Sequence, residues 1–254
     1  MAGLPSGGGE AKDAGDHAAG RQLTLDLPFA PGLGREDFFV SASNEKAYAM
    51  IERWPAWPDP VLLLLGPAGS GKTHLGAIWA AMAGADIRQA SSLAGADIEA
   101  LARRPLLLEN AEAAAGVETE LFHLLNVTRE RGGFLVLTAT RPPDAWGLAT
   151  ADLLSRLRLA PSVEIGAPDD ALMRAVLVKL LIDRQLVVDI RVVEHAALRL
   201  DRSLEAARQF VDALDREALS RQSRITRRMA VDVLRALSSA DDAEGPDEGD
   251  QEPD

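Results

Sequence analysis

Short apolar runs bounded by turn residues alternate with amphipathic stretches through the first two thirds of the chain. Residues 61–65, 86–90, 106–109, 134–139 and 163–165 read as strands. Residues 44–54, 72–82, 98–103, 119–130 and 151–157 carry apolar side chains at helical spacing. Strand and helix in alternation predict an α/β fold with a parallel five-stranded sheet covered on both faces. In such sheets ligands sit at the carboxyl ends of the strands. After Pro168 the pattern becomes purely helical, over 169–184, 192–200, 204–219 and 227–237, and predicts a small all-helical lid domain. The expected organisation is a flexible arm (1–20), a short motif (21–31), a nucleotide-binding domain (35–166), the lid (168–238) and an acidic tail (239–254).

Composition narrows the class of protein. The chain has no cysteine, which excludes disulfides and thiolate metal sites. Its histidines, His17, His74, His123 and His195, lack metal-ligand spacing. No apolar run reaches the roughly 18 residues that a membrane span needs. Residues 1–20 lack the basic and apolar regions of a secretory signal, so a cytoplasmic protein without a membrane partner is expected. The formal net charge is -12, and much of it lies at Asp241, Asp242, Glu244, Asp247, Glu248, Asp250, Glu252 and Asp254. That run carries no base and almost nothing apolar, so it is expected to be disordered. The acidic balance argues against duplex DNA as the main partner, because phosphate binding needs clustered Lys and Arg.

Gly66, Pro67, Ala68, Gly69, Ser70, Gly71, Lys72 and Thr73 match G-x-x-x-x-G-K-[ST] between an expected strand and an expected helix. Glycines at these positions let backbone N–H groups point at phosphate oxygens, and the helix N-terminus adds a favourable dipole. Lys72 places a positive charge at the terminal phosphates, the Thr73 hydroxyl is a Mg²⁺ ligand, and His74 lies beside them. The expected cofactors are ADP or ATP with Mg²⁺. The strand 106–109 ends in Glu109-Asn110, where a P-loop ATPase normally carries Asp and often a second acid. Glu109 is the expected metal-side acid, one methylene longer than Asp. Asn110 cannot accept a proton as a carboxylate can, but it can orient a water. Slow intrinsic hydrolysis with intact binding is therefore expected.

The P-loop, the strand 134–139 running into Thr140-Arg141-Pro142-Pro143, and Leu154-Ser155-Arg156-Leu157 resemble the DnaA-related AAA+ ATPases. The segment Phe38-Phe39-Val40…Ser43-Asn44 resembles the adenine-side box of that family, with Phe39, Val40 and Asn44 as the expected contacts. The resemblance covers about 35–238 and implies an AAA+ domain with a helical lid. It implies that Thr140 stands at the sensor-1 position, usually Asp in the initiators. It also implies that Arg156 is an arginine finger acting on a nucleotide of a neighbouring subunit, and that Arg202 is sensor 2. The plainer reading of Arg202 is an ion pair with a nearby acid at a helix start.

Gln22-Leu23-Thr24-Leu25-Asp26-Leu27-Pro28 resembles the peptides that bind the bacterial sliding clamp. In an extended chain Leu23, Leu25 and Leu27 share one side and can fill an apolar groove, with Gln22 and Asp26 as polar contacts. The same alternation also suits an edge strand on the protein's own core. No DNA-reading or oligomerisation domain is expected beside the ATPase domain. The layout is that of the family's regulatory inactivators, which implies the sliding clamp and the DnaA initiator as partners, DNA contact only through the clamp, and a possible homo-oligomer. The alternative within the superfamily is an ATP-hydrolysing helicase loader or remodelling enzyme.

Overall fold

The computed structural model describes residues 33–243, so the 22–28 motif lies outside the described residues. Helix α1 (Glu45–Glu52) leads into β1 (Val61–Leu65), α2 (Lys72–Ala83), β2 (Asp86–Gln89), α3 (Ile98–Leu101), β3 (Leu106–Glu109), α4 (Glu118–Arg131), β4 (Leu135–Ala139), α5 (Ala151–Leu159) and β5 (Ser162–Glu164). The five strands pair in the order β2-β3-β4-β1-β5, and every pairing is parallel. The apolar runs of β1, β3 and β4 are unbroken because both faces of these inner strands are buried. Val61, Leu63, Leu106, Leu108, Leu135 and Leu137 face the layer formed with α4 and α5. Leu62, Leu64, Leu107 and Val136 face the layer with α1 and α2, where Trp79 is fully buried. Trp57 stacks on Trp79 with ring centroids 5.8 Å apart, and Phe134 meets Trp54 edge-on at 5.6 Å.

The lid is α6 (Asp170–Asp183), α7 (Ile190–Ala197), α8 (Leu204–Ser220) and α9 (Arg227–Ala243), closed around its own core of Leu177, Val193, Phe210 and Leu214. Side chains fix its helix starts. Asp169 accepts from the Leu172 N–H at 2.8 Å, Asp189 from Arg191 at 2.9 Å, and Ser203 from Glu205 at 3.1 Å. Each cap satisfies an N–H that the helix leaves without a partner. Two expectations shift. The last strand occupies Ser162–Glu164, one residue earlier than the pattern suggested, with the Ile165 N–H still bonded to the Leu65 carbonyl at 2.8 Å. Helix α9 continues to Ala243, past the expected start of the tail, as an extension of the helix that Val233 and Leu234 anchor.

Candidate nucleotide site at the strand ends

The P-loop lies at the carboxyl end of β1, the strand between β4 and β5, and leads directly into α2. Its tight path depends on two glycines. Gly66 has φ +154°, and a methyl there would collide with the Ile165 carbonyl. Gly69 has φ +69°, and a methyl there would overlap the Ser203 hydroxyl and stand 2.9 Å from its Cβ. This cradle, which any added Cβ would fill, fits a phosphate chain approached by backbone. Ser70 is buried within the loop with its hydroxyl unpartnered among the described residues. Lys72 Nζ donates to the carbonyls of Gly66 at 2.7 Å and Pro67 at 2.8 Å. Burial pushes this ammonium below its ordinary pKa, and the negative charge of Glu112 offsets part of that effect.

The lid reaches the loop through the start of α8. The Leu204 N–H donates to the Gly69 carbonyl at 2.8 Å, and Ser203 packs over Gly69. Arg202, the residue expected to read the phosphates, instead pairs with Asp170 at the start of α6. The cap explains the displacement. Ser203 is extended, with φ −140° and ψ 134°, so adjacent side chains leave the chain on opposite sides.

The acids at the strand ends also differ from expectation. Leu107 faces α2, so Glu109, two residues on, leaves the sheet on the P-loop side. Its carboxylate accepts from Gln89 Nε2 at 3.0 Å, and Asn110 Nδ2 donates to Gln89 Oε1 at 2.7 Å. One glutamine thus holds both residues. Asn110 adopts a left-handed conformation, φ 55°, and its N–H donates to the Thr138 hydroxyl at 3.3 Å. The turn that follows is a 3-10 helix, Ala111–Gly116, which delivers an acid that the sequence reading missed. Glu112 Oε1 accepts from the Thr140 N–H at 3.0 Å and from the Thr140 hydroxyl at 2.7 Å. Burial alone would raise the Glu112 pKa, but the Thr140 hydrogen bonds and the Lys72 charge outweigh it and hold the carboxyl below its ordinary value. The other oxygen, Oε2, is buried without a partner among the described residues. Thr140, expected at the sensor-1 position, therefore donates its hydroxyl hydrogen bond to Glu112. Thr73 and Glu109 are the residues of this site whose oxygens would hold Mg²⁺, and the ion would then polarise a phosphoryl oxygen.

On the base side, Asn44 is buried at 3% exposure and pins the loop before α1. Its Oδ1 accepts from the Ser41 N–H at 2.9 Å, and its Nδ2 donates to the Phe39 carbonyl at 2.9 Å. The aromatic beside the P-loop is Phe38, which stacks on Tyr48 at 5.5 Å and meets His74 edge-on at 5.2 Å. Phe39 lines a groove with Val178, Ile182 and Ile190 of the lid, and Val40 is exposed. Of that segment, it is thus Phe38 rather than Phe39 or Val40 that lies beside the P-loop. The buried His74 ring places its Nε2 2.9 Å from the Gly34 carbonyl. Arg156, on the last turns of α5, lays its guanidinium over the Phe122 ring, 4.9 Å from the centroid.

Similarity to known proteins agrees with this geometry. No family model matches the chain. The chain is 32% identical to the chromosomal replication initiator protein DnaA of Caulobacter vibrioides, over 48% of this chain and 30% of that protein. It therefore spans about a third of the length of the curated relative it matches. Among solved structures it resembles domain III of the Thermotoga maritima replication initiation protein DnaA, with a TM-score of 0.72 and 19% identity over 83% of this chain and 98% of that one. It also resembles a replication initiator DnaA bound to AMPPCP and single-stranded DNA, with a TM-score of 0.63 and 20% identity over 76% of this chain and 68% of that one. A five-stranded parallel sheet, a P-loop at the end of its strand β1 and a helical lid closing on that loop give this chain the AAA+ P-loop ATPase fold of DnaA domain III.

Proposed function

We propose that the chain is a nucleotide-bound regulator that switches off the DnaA initiator. In this reading the P-loop holds ADP or ATP with Mg²⁺ and keeps the domain in shape for docking. The sliding clamp carries the chain through Gln22, Leu23, Leu25, Asp26 and Leu27, which lie outside the described residues and rest on the sequence alone. Arg156 then completes the site of an ATP-bound initiator and stabilises charge as its phosphoryl group is transferred to water. DNA is met only through the clamp, and the setting is the cytoplasm. This is the layout of Hda, the regulatory inactivator of DnaA, which the chain resembles.

The observation that carries the reading is the tethering of Glu109 and Asn110 by Gln89. The two positions that would bind the metal and activate water are occupied with each other's partner, and one is an amide that takes no proton. Such a site suits holding a nucleotide better than turning it over. A second reading, an ATP-driven loader or remodelling enzyme, draws on Glu112, an ionised acid placed between Thr140 and the field of Lys72. A single reconstitution separates the two. If the regulator reading holds, the chain together with the clamp accelerates loss of ATP bound to DnaA, and alanine at Gln22 and Leu23 removes the effect. Brisk turnover by the chain alone, dependent on Lys72 and Glu112 and with no effect on the initiator, would establish the loader instead.

A further inference from the structure

Helix α4 meets α5 through three polar or charged contacts, and all three bear on Arg156. At the front of α4, the Glu118 carboxylate accepts from the N–H groups of Ala149 and Thr150, each at 2.8 Å, and so fixes the start of α5. One turn on, the Phe122 ring lies beneath the Arg156 guanidinium at 4.9 Å. Two turns further, Arg129 Nη2 donates to the Arg156 carbonyl at 3.4 Å. Spacings of four and seven residues put Glu118, Phe122 and Arg129 on one face of the helix. Arg129 Nε also pairs with Asp59 at 3.2 Å, and Asp59 accepts from the Val61 N–H at 2.8 Å. The arginine is thereby tied to the first residue of the strand that ends in the P-loop.

The chemistry of the central contact is selective. Among the described residues no carboxylate lies within ion-pair distance of Arg156, whereas Arg158 on the same helix pairs with Asp144. A carboxylate would compete with phosphate for the same guanidinium donors. A ring face attracts the cation without occupying its N–H groups, and it does so weakly enough to let the donors engage another anion. We infer that α4 is the mount that aims Arg156, with Phe122 positioning the guanidinium for a phosphate group on a neighbouring protein; this rests on the reading of Arg156 given above.

The test is clamp-dependent hydrolysis of ATP on the initiator, titrated with the full chain. Phe122→Leu keeps apolar bulk and removes the ring face. It is expected to lower the maximal rate about 3- to 10-fold, with the half-saturating concentration and the chain's own ADP affinity unchanged. Phe122→Tyr is expected to restore the rate. Glu118→Gln, at the surface end of the same mount, provides a second variant with a smaller loss of the same kind. Full maximal stimulation by Phe122→Leu, or equal impairment by Leu and Tyr, or a loss expressed only in half-saturation, overturns the inference. If Arg156→Ala itself retains full stimulation, it is the finger reading that fails, and that outcome is separate from those of the Phe122 series.

Discussion

Replacing Gly69 by alanine tests whether the lid and the P-loop are one mechanical unit. Two costs arise at this position. An L-residue at φ +69° sits in the left-handed region, which costs about 1–2 kcal/mol. The added methyl also overlaps the Ser203 hydroxyl and lies 2.9 Å from its Cβ, so the start of α8 must move. Movement weakens the Leu204-to-Gly69 hydrogen bond, about 0.5–1.5 kcal/mol, and the Ser203 cap, about 1 kcal/mol. Gly84 supplies the control, with φ +61° and nothing within 4 Å of an added Cβ. Gly84→Ala should therefore cost only the conformational part, about 1–2 kcal/mol, and Gly69→Ala about 3–4 kcal/mol. At roughly 2–4 °C per kcal/mol for a domain of this size, Gly69→Ala should melt about 4–8 °C below Gly84→Ala. Adding Ser203→Gly to Gly69→Ala removes the colliding atoms while keeping a tolerated cap residue, and should return about half of the difference. Equal melting of the two glycine variants by calorimetry would refute the lid contact as described.

Three other perturbations probe the site. Lys72→Met removes a half-buried ammonium held by two loop carbonyls; ADP should no longer raise the melting temperature, while the ligand-free protein melts within a few degrees of the parent. Asn44→Ala removes a buried amide and its bonds to the Ser41 N–H and the Phe39 carbonyl and should cost about 1–3 kcal/mol in denaturant unfolding, with weaker nucleotide binding as the loop before α1 loosens. Glu112 titrates lower in the fold than in the unfolded chain, because the Thr140 bonds and Lys72 outweigh its burial. Its stabilisation is thus present above the ordinary carboxyl range and is lost as pH falls through the folded value. Glu112→Gln should flatten the acid side of the stability-versus-pH curve; an unchanged slope in pH-dependent melts would contradict the assignment.

The inner strands were legible because they are buried on both faces, so Val61–Leu65 and Leu106–Glu109 appear as unbroken apolar runs between turn residues. The P-loop was legible because backbone approach to phosphate demands glycine at fixed spacing. The partners of that loop were not, because they depend on packing between distant segments. Glu112 meets Thr140 across 28 residues, and Ala111–Gly116 has no apolar periodicity to mark the 3-10 turn that delivers it. Phe38 and Phe39 are adjacent on a chain that alternates sides, and it takes the packing of Phe38 on Tyr48 and His74 to tell which ring faces the core. Arg202 and Ser203 pose the same problem. The cap requirement of α8 places Ser203 over Gly69 and sends the arginine to Asp170. Arg156 was found by resemblance, but its seat on Phe122 needed the packing of α4 on α5.

The central claim is that Arg156 acts on a nucleotide held by another protein. The most direct measurement is the rate at which ATP bound to DnaA is hydrolysed in the presence of the clamp and either the parent chain or Arg156→Ala. The account predicts that the variant binds ADP and the clamp as the parent does and loses at least about 100-fold in stimulated hydrolysis, as expected on removing a finger that contributes about 10³–10⁵. Stimulation within a few-fold of the parent would contradict it.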